Sequence, residues 1–340
     1  MGTTNSRILI RSIVARTAAD RCGFWLGNLQ EESLTGLHSY FGTSTLEELH
    51  QVVGSDFRWL SPQYLSSTYR HPHGRGLFDL WKHKHHLGEA GPFSAIDDVD
   101  TVHAYKWPRL EDLDFSEGYA KLSQAGEYYR ASGFWMPFFR DVMDLFGMDS
   151  LLTRMYTNPD VVHAAFEHVC GFYRDANERF FNLAGAEMDA VFFGNDFGTQ
   201  RDLLLSPRQF DEFVLPWIKT FTDQAHAHGY GVILHSGGSI ARIMGRLIDA
   251  GIDCLHPLQT RASNMDAQTL ARTVKGRIAF MGGIDTQHLL VQGTVDDVKR
   301  EVRRLKFLLG PHLIISPSHE ALLPNVPPRN VAAMAEAALE

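Results

Sequence analysis

Three histidines and several carboxylates sit where short apolar runs end, which is where a chain leaving a β-strand exposes its side chains. His235 closes Gly231-Val-Ile-Leu-His235, and Asn195 and Asp196 follow Ala190-Val-Phe-Phe-Gly194. Cys254, His256 and Gln259 lie along the next run, and Asp285 follows Gly282-Gly283-Ile284. Ser318, His319 and Glu320 come after the last run. Nearer the start, Asn28 and Gln30 follow Cys22-Gly-Phe-Trp-Leu26, and Asp56 and Arg58 flank Phe57. Imidazole and carboxylate are the groups that move protons near neutral pH, and with thiolate they are the groups that hold zinc. Each residue also has a plainer reading. His235 suits a hydrogen-bonded core position, Asp196 a cap, Asp56 an ion pair with Arg58 or Arg70, and Cys254 a small packed hydrophobe. Their common position at strand ends is what favours a site.

Those ends belong to a repeating pattern. Short apolar strands at 189–194, 231–235, 252–256, 277–281 and 312–315 alternate with amphipathic helices. The helices carry clear boundary signals: Ser206-Pro207-Arg208-Gln209 joins an N-cap serine to a first-turn proline, and Gly276 closes 264–275. Three further strands are expected at 22–26, 56–60 and 133–138. Parallel strands covered by helices, eight in number, make a (β/α)8 TIM barrel, whose catalytic groups stand at the C-terminal ends of the strands. Residues 61–113, with Pro62, Pro72, Pro92 and Pro108, read as a loop or hairpin insertion between strands two and three, within one domain spanning 1–340. A doubly wound open sheet is the structural alternative, but no glycine-rich dinucleotide fingerprint follows the first strand.

Composition narrows the partners. The net charge of -8 has no basic block, which argues against nucleic acid, and no apolar run reaches the length of a membrane span. The tract Lys82-His83-Lys84-His85-His86 reads as a solvated loop. Cys22, Cys170 and Cys254 lack paired spacing, and no secretory signal is visible, so a cytoplasmic protein is expected. Met1-Gly2 through Ser6 fits the loose myristoylation pattern, which is discounted because Arg7 opens an ordinary helix. The sequence does not determine the oligomeric state, for which a homodimer is the working expectation.

The segments Gly231–Ile240, Gly251–Gln259, Met281–Thr286, Pro317–His319 and Val326–Val331 occur in order, with Asn195–Gln200 and Gly54–Trp59 before them. In these segments the chain resembles the uroporphyrinogen decarboxylase-like superfamily over nearly its whole length. The resemblance implies a (β/α)8 barrel and one of several chemistries: porphyrinogen decarboxylation, or zinc-dependent methyl transfer to corrinoid proteins or thiols. True decarboxylases carry Met-Arg-Gln-Ala-Gly-Arg after the first strand. Here Phe24-Trp25-Leu26-Gly27-Asn28-Leu29-Gln30 has no arginine to pair with a polycarboxylate. The zinc enzymes carry a His-x-Cys pair after strand five, where this chain reads His235-Ser236-Gly237.

The first expectation is a metal-assisted methyltransferase or demethylase acting on a small methylated substrate. In it, His235 and His319 would hold zinc, with a third ligand from Asp196, Cys254, His256 or Glu320, and a corrinoid or thiol would accept the methyl group. Asp56, Asp196 and His319 are the expected catalytic residues. Asn28, Arg58, Tyr64, Asn195, Gln259 and Asp285 are the expected substrate contacts. The alternative is a metal-free decarboxylase in which Arg58 holds the carboxylate of a small acid. The third reading is a non-catalytic binding protein on the same fold. Trp25, Trp59, Tyr64, Trp107, Phe134 and Trp135 are candidate pocket walls or ordinary core.

Overall fold

The fold was read from a computed structural model, which describes residues 5–70, 77, 89–319 and 321–340. Eight strands form one parallel sheet: β1 Gly23–Phe24, β2 Phe57–Trp59, β3 Tyr129–Ser132, β4 Ala190–Gly194, β5 Gly231–His235, β6 Cys254–Leu258, β7 Ala279–Ile284 and β8 Leu313–Pro317. Their order is β1-β8-β7-β6-β5-β4-β3-β2. The Asp56 amide donates to the Phe24 carbonyl at 2.8 Å, which draws β2 to β1 and nearly closes the sheet. This is the TIM barrel that the alternation predicts.

Side chains alternate across each strand. The inward ones are Trp25, Phe57, Tyr129, Ala131, Ala190, Phe192, Ile233, Cys254, Ala279, Met281 and Ile314, which form a single buried cluster. Leu9, Ile10, Ile13 and Val14 of the helix Ser6–Val14 join that cluster, so this helix plugs the N-terminal floor of the barrel. Gly23 makes room for the plug, since a methyl group there would lie 2.3 Å from Ile10 Cδ1. The outward side chains pack against the surrounding helices in a second, larger cluster.

Register sets the level of each residue. Gly194 pairs with His235, and His235 with His256, so these three stand side by side near the C-terminal rim. Three strands depart most from expectation, the seventh being Ala279–Ile284 rather than 277–281. The third strand is Tyr129–Ser132 rather than 133–138, because Gly133 (φ +87°) turns the chain out of the sheet. The strand expected at 252–256 runs from Cys254 to Leu258. Within residues 61–113, the described residues include the helix Val99–His103 and two 3-10 turns, Pro62–Tyr64 and Leu110–Asp112, and the helix Ser116–Ser123 follows before β3. An antiparallel bridge between Tyr69 and Leu113 joins the two ends of this insertion. The tract Lys82–His86 lies outside the described residues. Among the described residues no helix is long and apolar enough to cross a membrane.

Candidate active site

The C-terminal mouth holds a chain of polar groups. His235, the last residue of β5, is 7% exposed. Its Nε2 lies 3.4 Å from Asp196 Oδ1, and its Nδ1 lies 3.1 Å from His256 Nδ1. His256 is fully buried, with Trp25 and Phe192 against its ring, and its Nε2 has no hydrogen-bond partner. Burial, reinforced by His235 and His319, pushes the His256 pKa far below the ordinary histidine value, so this ring is neutral.

Hydrogen-bond accounting then assigns the protons. A buried N–H left unpaired is costlier than a bare lone pair, so the orphaned Nε2 of His256 carries no hydrogen. His256 Nδ1–H therefore donates to His235 Nδ1, and the hydrogen of neutral His235 sits on Nε2, toward Asp196 and the mouth. Asp196 is 64% exposed and also accepts the Gly237 amide at 2.7 Å. The protein around its carboxylate would alone raise its pKa. His235, the Gly237 N–H and His319 outweigh that and hold it below the usual value. At Gly237 a side chain would crowd this arrangement: a Cβ there would be 3.0 Å from Asp196 Oδ1 and 3.4 Å from Gln259 Nε2.

A cavity of about 280 Å³ opens beside Asp196 and His235, walled by Trp135, Pro137, Phe139, Met143, Met148 and Leu204. Arg140 lies on its rim, bound to Asp144 at 2.8 Å. Asn195 builds one wall by accepting the Phe139 amide and donating to the Met136 carbonyl, which pins the loop after β3 over the mouth. A second, polar cavity of about 60 Å³ is lined by Gln200, Gln259, Arg261, Asp285, Ser318 and His319. Gln259 Oε1 accepts from the Gly238 amide and Gln200, Asp285 pairs with Arg261, and His319 Nδ1 accepts the Ala321 amide.

The structure thus gathers Asp196, His235, His256, Asn195, Gln259, Asp285 and His319 at the mouth. Asn28 lies on a small parallel pairing with Ala321, close after His319. Tyr64 is exposed, with its ring edge-on to Trp59. Three expected residues are elsewhere. Asp56 precedes β2 rather than ending it, and at the floor it takes two hydrogen bonds from Arg21 at 2.7 and 2.8 Å, one from Ser6 and one from the Phe24 amide. Arg58 points outward to Glu47 on the helix Leu46–Val52, at 2.7 Å. Cys254 is sealed in the barrel interior, where burial pushes its thiol pKa well above the ordinary value and keeps it from forming a thiolate. Of the candidate aromatic walls, Trp135 lines the larger cavity, whereas Trp25 and Phe134 are core. Sequence reasoning missed Phe139, Met143 and Met148. The signal available was their place just after the third strand, once that strand is ended at Ser132.

Among the described residues, no group of three or more His, Cys, Asp and Glu is arranged to hold a metal ion. Cys254 is sealed in the barrel interior, and Glu320 lies outside the described residues.

Comparison with solved structures finds the fold again in a methyltransferase from Methanosarcina mazei. It is 15% identical, with a TM-score of 0.67, over 99% of this chain and 98% of that one. A candidate vitamin-B12-independent methionine synthase from Listeria monocytogenes is 12% identical, with a TM-score of 0.48, over 94% of this chain and 98% of that one. No curated protein matches the sequence. The family model described as uroporphyrinogen decarboxylase (URO-D) matches residues 142–340, the part of the chain that carries Asp196, His235, His256 and His319. The chain belongs to the uroporphyrinogen decarboxylase (URO-D) family.

Proposed function

We propose that this URO-D family member is a methyltransferase that demethylates a small, largely apolar substrate, with a thiol as acceptor. The observation that carries the reading is the largely apolar cavity of about 280 Å³ opening onto Asp196 and His235. A methyl ether or thioether fits such a cavity, whereas a polycarboxylate finds no arginine cluster there. The fold shared with a methyltransferase from M. mazei is consistent with this choice.

In this reading the acceptor thiol hands its proton to Asp196 in the same step as its sulfur attacks the methyl carbon. The sulfur–carbon bond forms as the bond from carbon to the leaving oxygen or sulfur breaks. The leaving atom keeps the electron pair, is stabilised by the His235 Nε2–H, and receives the proton held by Asp196. General acid–base help of this kind is worth about 10²- to 10⁴-fold. His319, Gln259 and Asp285 line the neighbouring polar cavity and would hold the polar end of the acceptor. A corrinoid protein is the other acceptor class. The decarboxylase alternative loses its anchor, because Arg58 is committed to Glu47 on the outside of the barrel.

The test offers the full-length protein a simple thiol with a panel of small methyl ethers, thioethers and methylamines, and follows the methylated thiol by mass spectrometry. Turnover should fall about 100-fold in His235→Gln. Elemental analysis runs alongside: near-stoichiometric zinc, lost in His235→Ala and His319→Ala, would assign the metal-assisted form of the same reaction. No methyl transfer to thiol or corrinoid, with or without added zinc, together with carbon dioxide release from small acids, would overturn the reading.

A further inference from the structure

Away from both mouth cavities, two imidazoles converge on the barrel flank. His103 ends the short helix Val99–His103 in the connection between β2 and β3, and His168 lies within the long helix Pro159–Ala184. His103 Nδ1 and His168 Nε2 are 2.8 Å apart. We propose that this pair is a binding site for a borderline divalent cation, Cu²⁺, Ni²⁺ or Zn²⁺, completed by water, which ties the insertion to the barrel.

The surroundings prepare the site. The Trp107 ring stacks flat on His168, with centroids 4.6 Å apart and planes 7° from parallel. Trp107 is itself fixed, because its Nε1 donates to the Val102 carbonyl at 2.9 Å and the fully buried Phe93 packs edge-on to it. His168 is therefore held in one orientation, while His103 is exposed at the end of a short helix and is free to adjust. A cation bound tetrahedrally at ordinary zinc–nitrogen distances separates two ligand nitrogens by about 3.3 Å. A small swing of His103 supplies that.

The protons also balance. Two neutral rings at hydrogen-bond distance share one hydrogen, and a cation replaces it once that hydrogen moves to an outer ring nitrogen. Binding then requires no proton to be lost. Burial, and then the neighbouring His103, lower the pKa of His168, so protons compete weakly for its lone pair at neutral pH. Imidazole pairs prefer borderline metals, with Cu²⁺ bound more tightly than Ni²⁺ or Zn²⁺, and hard Mg²⁺ poorly.

The experiment titrates full-length protein with Cu²⁺, Ni²⁺, Zn²⁺ and Mg²⁺ and follows heat, Cu²⁺ electron paramagnetic resonance and Tm. The chain has 17 histidines, so the comparison with variants decides. One Cu²⁺ per chain should bind with two nitrogen ligands and raise Tm, with Mg²⁺ silent. His103→Gln and His168→Gln should each weaken that site at least about tenfold and remove the Tm rise. His83, His85 and His86 changed together to Gln should leave it intact. His103→Gln is exposed and serves if His168→Gln fails to fold. Copper bound equally by wild type and His103→Gln, or lost only in the triple variant, would overturn the proposal.

Discussion

The two ends of the barrel use the same side chains for opposite purposes. At the floor, Asp56, Asp189 and Asp253 each immediately precede an even strand, β2, β4 and β6. Each accepts a backbone N–H from the odd strand before it, from Phe24, Arg130 and Val232 respectively. Each also meets arginine: Arg21 for Asp56, Arg7 and Arg11 for Asp189, and Arg16 for Asp253. Every carboxylate there is saturated, and together they lock the plugging helix to the sheet. At the mouth Asp196 comes after its strand, stands 64% exposed, and faces a histidine backed by a second histidine with an unsatisfied nitrogen. Saturation makes the floor a structural device, whereas the mouth keeps polar groups that the fold itself leaves incompletely satisfied.

Substitution at the floor should give the largest effect on stability. The Asp189 side chain is fully buried, and Asp189→Ala leaves the Arg130 amide and the partly buried Arg7 without their acceptor. A cost of about 3 kcal/mol is expected in urea unfolding, with turnover per folded molecule unchanged. Asp196→Asn should show the reverse, with turnover down about 100-fold and stability shifted by less than about 1 kcal/mol. If Asp196→Asn proves as destabilising as Asp189→Ala, the contrast between the two ends fails.

Asp141 shows what happens to a buried carboxyl without the floor's arginine contacts. It lies on the helix Phe138–Phe146 behind the mouth and accepts the Tyr173 hydroxyl at 2.7 Å. Burial raises its pKa to about 7, the Tyr173 bond opposing and Asp144 adding to the shift. In the unfolded chain the group titrates near 3.8, the ordinary value. Between those values the unfolded state releases the proton while the folded state keeps it. Stability therefore falls as pH rises through that window and levels off above it. From pH 5 to 7 the wild type should lose about 2 kcal/mol relative to Asp141→Asn, read from urea midpoints at the two pH values. Equal pH dependence in the two proteins would show that the carboxyl is already ionised in the fold.

Seven of the eight strands were legible because buried parallel strands write themselves as apolar runs, whereas Tyr129–Ser132 carries too few apolar residues to do so; His235 and Asp196 were legible because they end such runs. Asp56 was misplaced for a physical reason. A carboxylate beside a strand reads alike at either end unless the strand's first residue is known, and β2 is only Phe57–Trp59. Arg58 faces outward because it lies between Phe57 and Trp59, both inside, an alternation that three residues state weakly. The apolar cavity was hidden more deeply. Met143 and Met148 look like any helix core until Gly133 is seen to end β3 and Asn195 to bind the loop that follows.

The smallest expected effect probes the mouth most finely. The hydrogen on His235 Nε2 follows from a donor on His256 Nδ1, so His256→Phe should release His235 to exchange between its two neutral forms. Nitrogen-15 spectra of the ring would show one form in the wild type, with hydrogen on Nε2, and a mixture in His256→Phe. Turnover should fall about tenfold, as for other partners that orient a working histidine. His256→Gln retains an N–H that can face His235 Nδ1 and should restore both the spectrum and most of the turnover. A purely packing role would give the opposite order, because phenylalanine fills the space beside Trp25 and Phe192 better than an amide does. The ranking of the two variants therefore decides whether His256 positions the proton of His235 or only fills the barrel.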